Sequence, residues 1–577
     1  MVDRNGEVVV NWLVRLVVRV RGAAQRYFFE RAVRRTETSQ RKLLQSFLRK
    51  NRDTLFGREH GFADITSAED YAQAVPIREF EEFRPWIERV EQGEKNVLTS
   101  LQPFMFSTTS GTTASPKLIP VTIQWIHNLG SLMRLWIYCN LLDHPGMLDG
   151  DIVSFVSPSI EGRTPGGIPV GSVSGLTYKR VPWVLRRKYP LPYELSEVED
   201  YEDRYLMAAR LAFARDVSIF AAPNPSTLLK LAEVGRANGE LIIQAVEEGT
   251  LGVEPPKGEG DHAVQQRALY QIIASRLKPD PDRARMLKGL IAEHGDLLPC
   301  HCWPNLKVLG CWLGGSAGVQ ARRLRKFYGE VPRRDLGFRA TEATMSLPMH
   351  DETPNGVLTV GTNFYEFIRE EERGTENPAI LLAHQLEEGG FYHILLTTCS
   401  GLYRYDINDV VEVRGFYGQA PIVAFIRKGR DMSNITGEKL HVGQVAAAYE
   451  QAESETGLTV SQIQMIPDAG ASRYDLLVEL EHDDTASLTD FVEALDSALC
   501  ELNCEYIVKR KSGRLHLPQV HRMRAGWSAR RQRDDVVCAG KRDSQYKWLM
   551  LAHAWDDATR SEVLMNLPAE LIQAPPA

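Results

Sequence analysis

One stretch of twelve residues, Phe106-Ser107-Thr108-Thr109-Ser110-Gly111-Thr112-Thr113-Ala114-Ser115-Pro116-Lys117, limits what this chain can fold into more than any other. A hydrophobic core packs poorly around clustered hydroxyls and a glycine, so the stretch belongs in a loop that faces a ligand. Short hydroxyl side chains, free backbone N–H groups and a terminal cation are what a polyphosphate requires of a protein. The apolar run Leu101 to Phe106 before it reads as a strand. Residues 122–142 after it carry a helical pattern through Trp125, Leu129, Leu132, Leu135 and Trp136. Strand, loop and helix in that order aim N–H groups at an anion. A Walker loop is excluded, because no Gly-Lys-Ser/Thr follows the first glycine at the required spacing.

With 577 residues the chain exceeds one hydrophobic core and requires at least two domains. A net charge of -7 argues against a dedicated nucleic-acid binder. The eight cysteines lack paired spacing; Cys300-His301-Cys302 has no second ligand pair at zinc-site distance, and reduced thiols in a cytoplasm fit better.

The first fifty residues carry 12 Lys and Arg against 4 Asp and Glu, a basic end on an acidic protein. Val8 to Val20 is apolar apart from Asn11, Arg15 and Arg19, and is too short for the ~20 residues a bilayer span needs. Residues 1–35 therefore read as an amphipathic helix, packed on the main domain or resting on an anionic membrane surface; packing is favoured.

Residues 36–60 read as a helix ending near Gly57. Asp151 to Val156, Val217 to Ala221, Leu306 to Leu313, Phe391 to Thr397 and Pro421 to Ile426 read as strands, and Val319 to Tyr328 as a basic helix. Residues 251–285 are rich in Pro, Gly and charge and read as a surface connection. From Gly437 the pattern changes to helix, strand, helix and strand, which predicts a small α+β domain over 435–577 after a large domain over 36–428.

Four further segments follow the hydroxyl-rich loop in order. They are Leu313-Gly314-Gly315-Ser316-Ala317-Gly318, Gly337-Phe338-Arg339-Ala340-Thr341-Glu342, Tyr403 to Val411, and the cationic turn Arg427-Lys428-Gly429-Arg430-Asp431. The order resembles that of the adenylate-forming superfamily. The closer resemblance is to the plant acyl-acid amido synthetases that conjugate auxin and jasmonate to amino acids, the Gretchen Hagen family. It rests on Thr109-Ser110-Gly111-Thr112-Thr113 with Lys117-Leu118-Ile119-Pro120, on Gly401-Leu402-Tyr403-Arg404-Tyr405 with Asp409-Val410-Val411, and on Ser544-Gln545-Tyr546-Lys547. Thr54-Leu55-Phe56-Gly57 with His60-Gly61-Phe62, and Glu91-Gln92-Gly93-Glu94, add to it.

The resemblance implies an α/β, luciferase-like N-terminal domain with a small mobile C-terminal lid. It implies ATP and Mg²⁺, a carboxylic acid and an amine as substrates, and a monomer in the cytoplasm. Thr109, Ser110, Gly111, Thr112, Thr113 and Lys117 would hold the ATP phosphates, and Gly315 and Ser316 the adenine. Thr341 would bond the α-phosphate, Glu342 would ligate Mg²⁺, and Asp409 would hold the ribose hydroxyls. Lys428 or Arg430 would add positive charge, and Lys547 would reach in as a catalytic cation. Asp406 and Asn408 stand where the plant enzymes have Arg and Gly; Asn tolerates the left-handed backbone, whereas Asp406 reverses a charge.

Transfer to a thiol is an alternative second step. Gly314-Gly315-Ser316-Ala317-Gly318 also fits a hydrolase nucleophile elbow, with Asp335 or Asp351 and His384 or His393 to complete a triad. A non-catalytic ligand-binding or membrane-surface homologue is the remaining alternative.

Overall fold

The computed structural model describes residues 4–108, 117–375, 377–429, 432–433, 435–436, 438, 440–482, 484, 487–537, 546 and 548–567. The chain divides into two bodies, one built from Met1–Leu313 with Gln320–Phe425, the other from Ile426–Lys541 and Tyr546–Ala577 together with the turn Gly314–Val319.

The larger body contains three sheets. The segments Met105–Thr108 and Leu118–Val121 pair antiparallel, Thr108 opposite Leu118, and so flank the hydroxyl-rich stretch. Pro169–Gly171 runs parallel to the first of them. An all-parallel sheet is formed by Asp151–Ser154, Val217–Ala221, Val308–Gly310 and Arg333–Arg334, in that spatial order. A seven-stranded antiparallel sheet carries Phe364–Arg369, Phe391–Thr397 and the long strand Tyr405–Tyr417 at its centre. The sheet packs into a core through Phe364, Phe367, Tyr392, Ile394 and Val411, with Phe47, Phe56, Tyr71 and Phe83 from the N-terminal helices in the same cluster.

Local chemistry explains the helix boundaries. The expected helix over 36–60 is two helices, Thr36–Asn51 and Leu55–Glu59. Thr54 interrupts it because its hydroxyl caps the N–H of Gly57. Gly57 lies inside the second helix, where an added Cβ would stand 2.0 Å from the Asn51 carbonyl. The 251–285 region is not a simple connection, since Asp261–Ala274 and Pro281–His294 are both helices. Pro281 there occupies the first turn behind the Asp280 cap, a position proline suits. Beyond Asp151–Ser154 the chain folds into the strands Gly162–Arg163 and Pro169–Gly171 and the helix Val173–Lys179.

The N-terminal helix Arg4–Val33 packs one face on the helix Ile123–Asp143. Val14 is buried with Leu141, Met147 and Leu148, and Gly22 lets the helix approach Tyr138 closely.

In the smaller body Val460–Asp468, Arg473–Leu480, Gln519–Met523 and Val563–Leu567 form one sheet. The helices Val442–Thr456 and Leu488–Leu502 cover it, burying Tyr449, Phe491, Leu495 and Leu499. The expected order of helix, strand, helix and strand lacks one strand, since both Val460–Asp468 and Arg473–Leu480 lie between the helices Val442–Thr456 and Leu488–Leu502.

Candidate active site

Ligands bind open parallel sheets beyond the carboxyl ends of their strands. Here the adjacent strands Val308–Gly310 and Arg333–Arg334 lead directly into the Gly314-Gly315 turn and the 335–342 loop. Asp335 joins these two exits. Its carboxylate accepts the N–H of Leu313 through Oδ2 and that of Gly337 through Oδ1, both at 2.6 Å. Burial pushes its carboxyl up to about 7, opposed by those two N–H donors and by the cation of Arg339. Gly337 has φ +92°, and a Cβ there would stand 2.4 Å from the Ser346 carbonyl, so only glycine fits.

Beyond Gly337 the backbone doubles back. Met345 N–H bonds to the Phe338 carbonyl and Ala340 N–H to the Ala343 carbonyl, which leaves Thr341 and Glu342 at the tip of a tight turn. Trp125, in the first turn of the helix after the hydroxyl-rich stretch, donates its indole N–H to the Glu342 carbonyl at 2.8 Å. Tyr405 donates its hydroxyl to Glu342 Oε1 at 2.9 Å. Burial, then Glu342, then Asp409 and Asp406, all resist loss of the Tyr405 proton and drive its pKa upward. Glu342 bonds this phenol, and Asp409, 67 positions further along the chain, adds to the negative charge that opposes loss of its proton.

The helix Phe80–Glu91 closes the near side. Phe83 contacts the Tyr405 ring edge-on at 6.0 Å between centroids. Lys117 places its Nζ 5.4 Å from the centroid of Phe80. Glu342 is bonded by Tyr405, the ring of Tyr405 meets the helix Phe80–Glu91 through Phe83, and Lys117 lies by Phe80 of the same helix, all within the larger body.

The other expected residues are distributed as follows. Gly315 has φ +56° and opens the helix Gly315–Tyr328, as a turn at the end of a strand demands. Lys428 ends the strand Ala420–Lys428, and its carbonyl accepts from the buried Arg427 at 3.2 Å. Thr109, Ser110, Gly111, Thr112, Thr113, Arg430 and Lys547 lie outside the described residues, as does the side chain of Ser316.

Asn408 adopts φ +59°, the left-handed backbone expected of it. Asp406 is neutralised locally, since Arg373 pairs with it and the Asn408 N–H bonds to its Oδ1. Arg404 turns away from this group. Its guanidinium pairs with buried Glu366 at 3.0 Å and donates to the carbonyls of Ala72 and Val75. It braces the strand entry and does not line the site.

The hydrolase reading loses its supports. Asp335 is taken up by backbone N–H groups, and Asp351 pairs with Arg334 and with His144 at 2.9 Å. Among the described residues no hydrogen bond joins either aspartate to His384 or His393.

Three residues gained their importance only from the structure: Tyr405, Trp125 and Asp335. Tyr405 sits within the Tyr403–Val411 segment but bore no assigned role. Trp125 read as a core position of its helix, and Asp335 only as a triad candidate.

Among the described residues no three His, Cys, Asp or Glu side chains cluster as a metal cage. A single hard carboxylate fits Mg²⁺ nonetheless, because that ion takes one or two carboxylates and completes its shell with substrate phosphates and water. No helix among the described residues is long and apolar enough to cross a membrane.

The chain resembles known proteins over most of its length. Residues 25–333 match the GH3 family N-terminal domain, 356–428 its central domain and 443–554 its C-terminal domain. The indole-3-acetic acid-amido synthetase GH3.3 of Arabidopsis thaliana is 25% identical over 440 residues, 74% of this chain and 73% of that one. Its relative GH3.4 is 25% identical over 544 residues, 90% of each chain. The jasmonoyl–L-amino acid synthetase JAR4 of Nicotiana attenuata is 21% identical over 431 residues, 72% of this chain and 73% of that one. The solved GH3.15 acyl acid amido synthetase superposes with a TM-score of 0.79 at 18% identity, covering 94% of this chain and 97% of that one. Three consecutive domain matches, one fold and one shared order of segments together make this chain a member of the GH3 family.

Proposed function

We propose that this protein is an ATP-dependent acyl-acid amido synthetase. The observation that carries the reading is Glu342, held at the tip of its turn by Tyr405 and Trp125, beside the helix Phe80–Glu91 that Lys117 also meets. Named relatives act on indole-3-acetic acid or jasmonate and amino acids, which supports a carboxylic acid and an amino acid as the substrates here.

In the first step a carboxylate oxygen of the acid attacks the α-phosphorus of ATP. The bond to the β-phosphate oxygen breaks, giving acyl-AMP and pyrophosphate. The substrate is its own nucleophile, so the protein contributes position and charge. Lys117, with Thr109, Ser110, Gly111, Thr112 and Thr113, holds the phosphates, and Thr341 reaches the α-phosphate. Gly315 and Ser316 lie along the adenine, and Asp409 accepts from the ribose hydroxyls. Glu342 is the carboxylate that would hold Mg²⁺, which supplies charge neutralisation on the phosphates when bound. Tyr405 and Trp125 fix Glu342 from its carboxylate and its carbonyl.

In the second step an amine nitrogen attacks the acyl carbonyl, AMP leaves with its phosphate oxygen, and the amine loses a proton to give the amide. Lys547 adds charge at the phosphates in this reading, and Lys428 or Arg430 adds charge near the ribose or the phosphates.

Incubating the protein with ATP, a panel of carboxylic acids and either amino acids or coenzyme A, and reading products by mass spectrometry, tests this directly. An amide with amino acid is the expected product. A thioester alone would make the protein an acyl–thiol ligase, and no acid-dependent AMP would remove the reading.

A further inference from the structure

The helix Arg4–Val33 has two apolar faces, and the fold uses one of them. The inward face carries Val14, Val18, Gly22 and Phe29, packed on the helix Ile123–Asp143 and its neighbours. On the outward face Trp12, Leu16, Val20, Ala23 and Tyr27 follow one another at steps of three or four residues, the spacing of a single helical stripe. Trp12 is 61% exposed, Val20 63% and Tyr27 63%, while Val17 and Phe28 lie exposed beside them. A run of exposed aromatic and branched side chains this long is unlike the scattered apolar residues of an ordinary surface.

Arginines edge the stripe. Arg19 and Arg31 are exposed among its residues and Arg21 lies behind it, with Arg34 and Arg35 just past the helix end. Glu30, the one acidic side chain described on this helix, is engaged by Arg26 and Arg34. The apolar stripe is therefore bordered by positive charge on a protein whose overall charge is -7. The family-model match begins at residue 25, so most of the stripe precedes the matched span.

We propose that this outward face is an interfacial anchor that lays the helix on an anionic lipid surface. An aromatic and aliphatic stripe bordered by arginines is what such a helix presents to the boundary between headgroups and acyl chains. A second copy of this chain is a poorer occupant. Two such faces meeting would bring arginine edges against arginine edges, with few acids to compensate. A groove-bound partner is also disfavoured, because a single convex helix offers no groove. The anchor is separate from the reaction proposed above and stands or falls without it.

The test uses the full chain and sedimentation with vesicles of phosphatidylcholine, with and without phosphatidylglycerol. The wild type is expected to pellet with the anionic vesicles, less so as salt rises, and to stay in solution with the neutral ones. The triple variant W12S/V20S/Y27S alters only exposed side chains. It should keep the same soluble activity while its vesicle affinity falls by at least about tenfold. A second variant, R19Q/R31Q, should lose affinity and most of the salt dependence. Failure to bind anionic vesicles would overturn the proposal, as would undiminished binding by W12S/V20S/Y27S. Sedimentation velocity that shows a dimer abolished by the same triple variant would assign the face to a second copy instead.

Discussion

Replacing Asp335 by asparagine isolates the joint between the two loop exits, and its size can be worked from the geometry. In the folded protein burial lifts the Asp335 carboxyl from its ordinary value to about 7. A rise of that size corresponds to about 4 kcal/mol between the protonated and ionised forms, taken as an upper bound. The sign follows from proton uptake. Between about pH 4 and 7 the folded state holds a proton at Asp335 that the unfolded chain has released, so stability contributed here declines as pH rises through that window and levels off above it. Asparagine removes the titration. It keeps one carbonyl acceptor but sets an NH₂ group against the other backbone N–H, which costs about 1–3 kcal/mol for a buried unsatisfied donor. The difference in unfolding free energy, wild type minus D335N, should therefore fall by about 2–3 kcal/mol between pH 5 and pH 7. Denaturant titrations at each pH, followed by tryptophan fluorescence, measure it. Loop function runs the other way, because the ionised form is the one that accepts both N–H groups. The KM for ATP should rise below pH 7 in the wild type and be high and flat in D335N. Parallel stability curves across this pH range would refute the account of Asp335 as a buried clamp.

Tyr405→Phe removes the hydroxyl that fixes Glu342; the Mg²⁺ concentration for half-maximal acyl-AMP formation should rise about 10–100-fold with the fold intact by circular dichroism. Asp409→Ala should lose most nucleotide affinity by calorimetry, whereas Glu342→Ala should chiefly lower the rate of acyl-AMP formation; wild-type behaviour in both would contradict those roles. Glu366→Ala leaves the Arg404 guanidinium buried without its carboxylate, so unfolding free energy should drop by about 3–5 kcal/mol, measured by urea denaturation.

What a single segment can contribute to the proposed site is read from its own residues. A hydroxyl-rich loop between a strand and a helix, a Thr-Glu pair and a Tyr-to-Val segment each carry their chemistry in their own residues. What could not be read was how distant segments meet. Nothing in the local pattern joins Trp125 to the carbonyl of Glu342, or Arg404 to Glu366, since both contacts are created by packing. Asp335 looked like a possible triad acid because its role, accepting two backbone N–H groups from neighbouring strand exits, depends on the parallel pairing of those strands. Proline and glycine misled at 251–285. Pro281, one of the prolines that make this stretch look like a connection, starts a helix behind the Asp280 cap. Thr54 acted in the opposite sense, stopping a helix that hydrophobic periodicity would have continued.

Exchange of labelled pyrophosphate into ATP, measured with and without added carboxylic acid, interrogates the reversible first step alone. The proposed triphosphate site predicts exchange that needs an acid, needs no amine, and collapses in Asp409→Ala. Exchange indifferent to the acid, or unchanged by loss of Asp409, would contradict the assignment of Lys117, Glu342 and Asp409 to ATP.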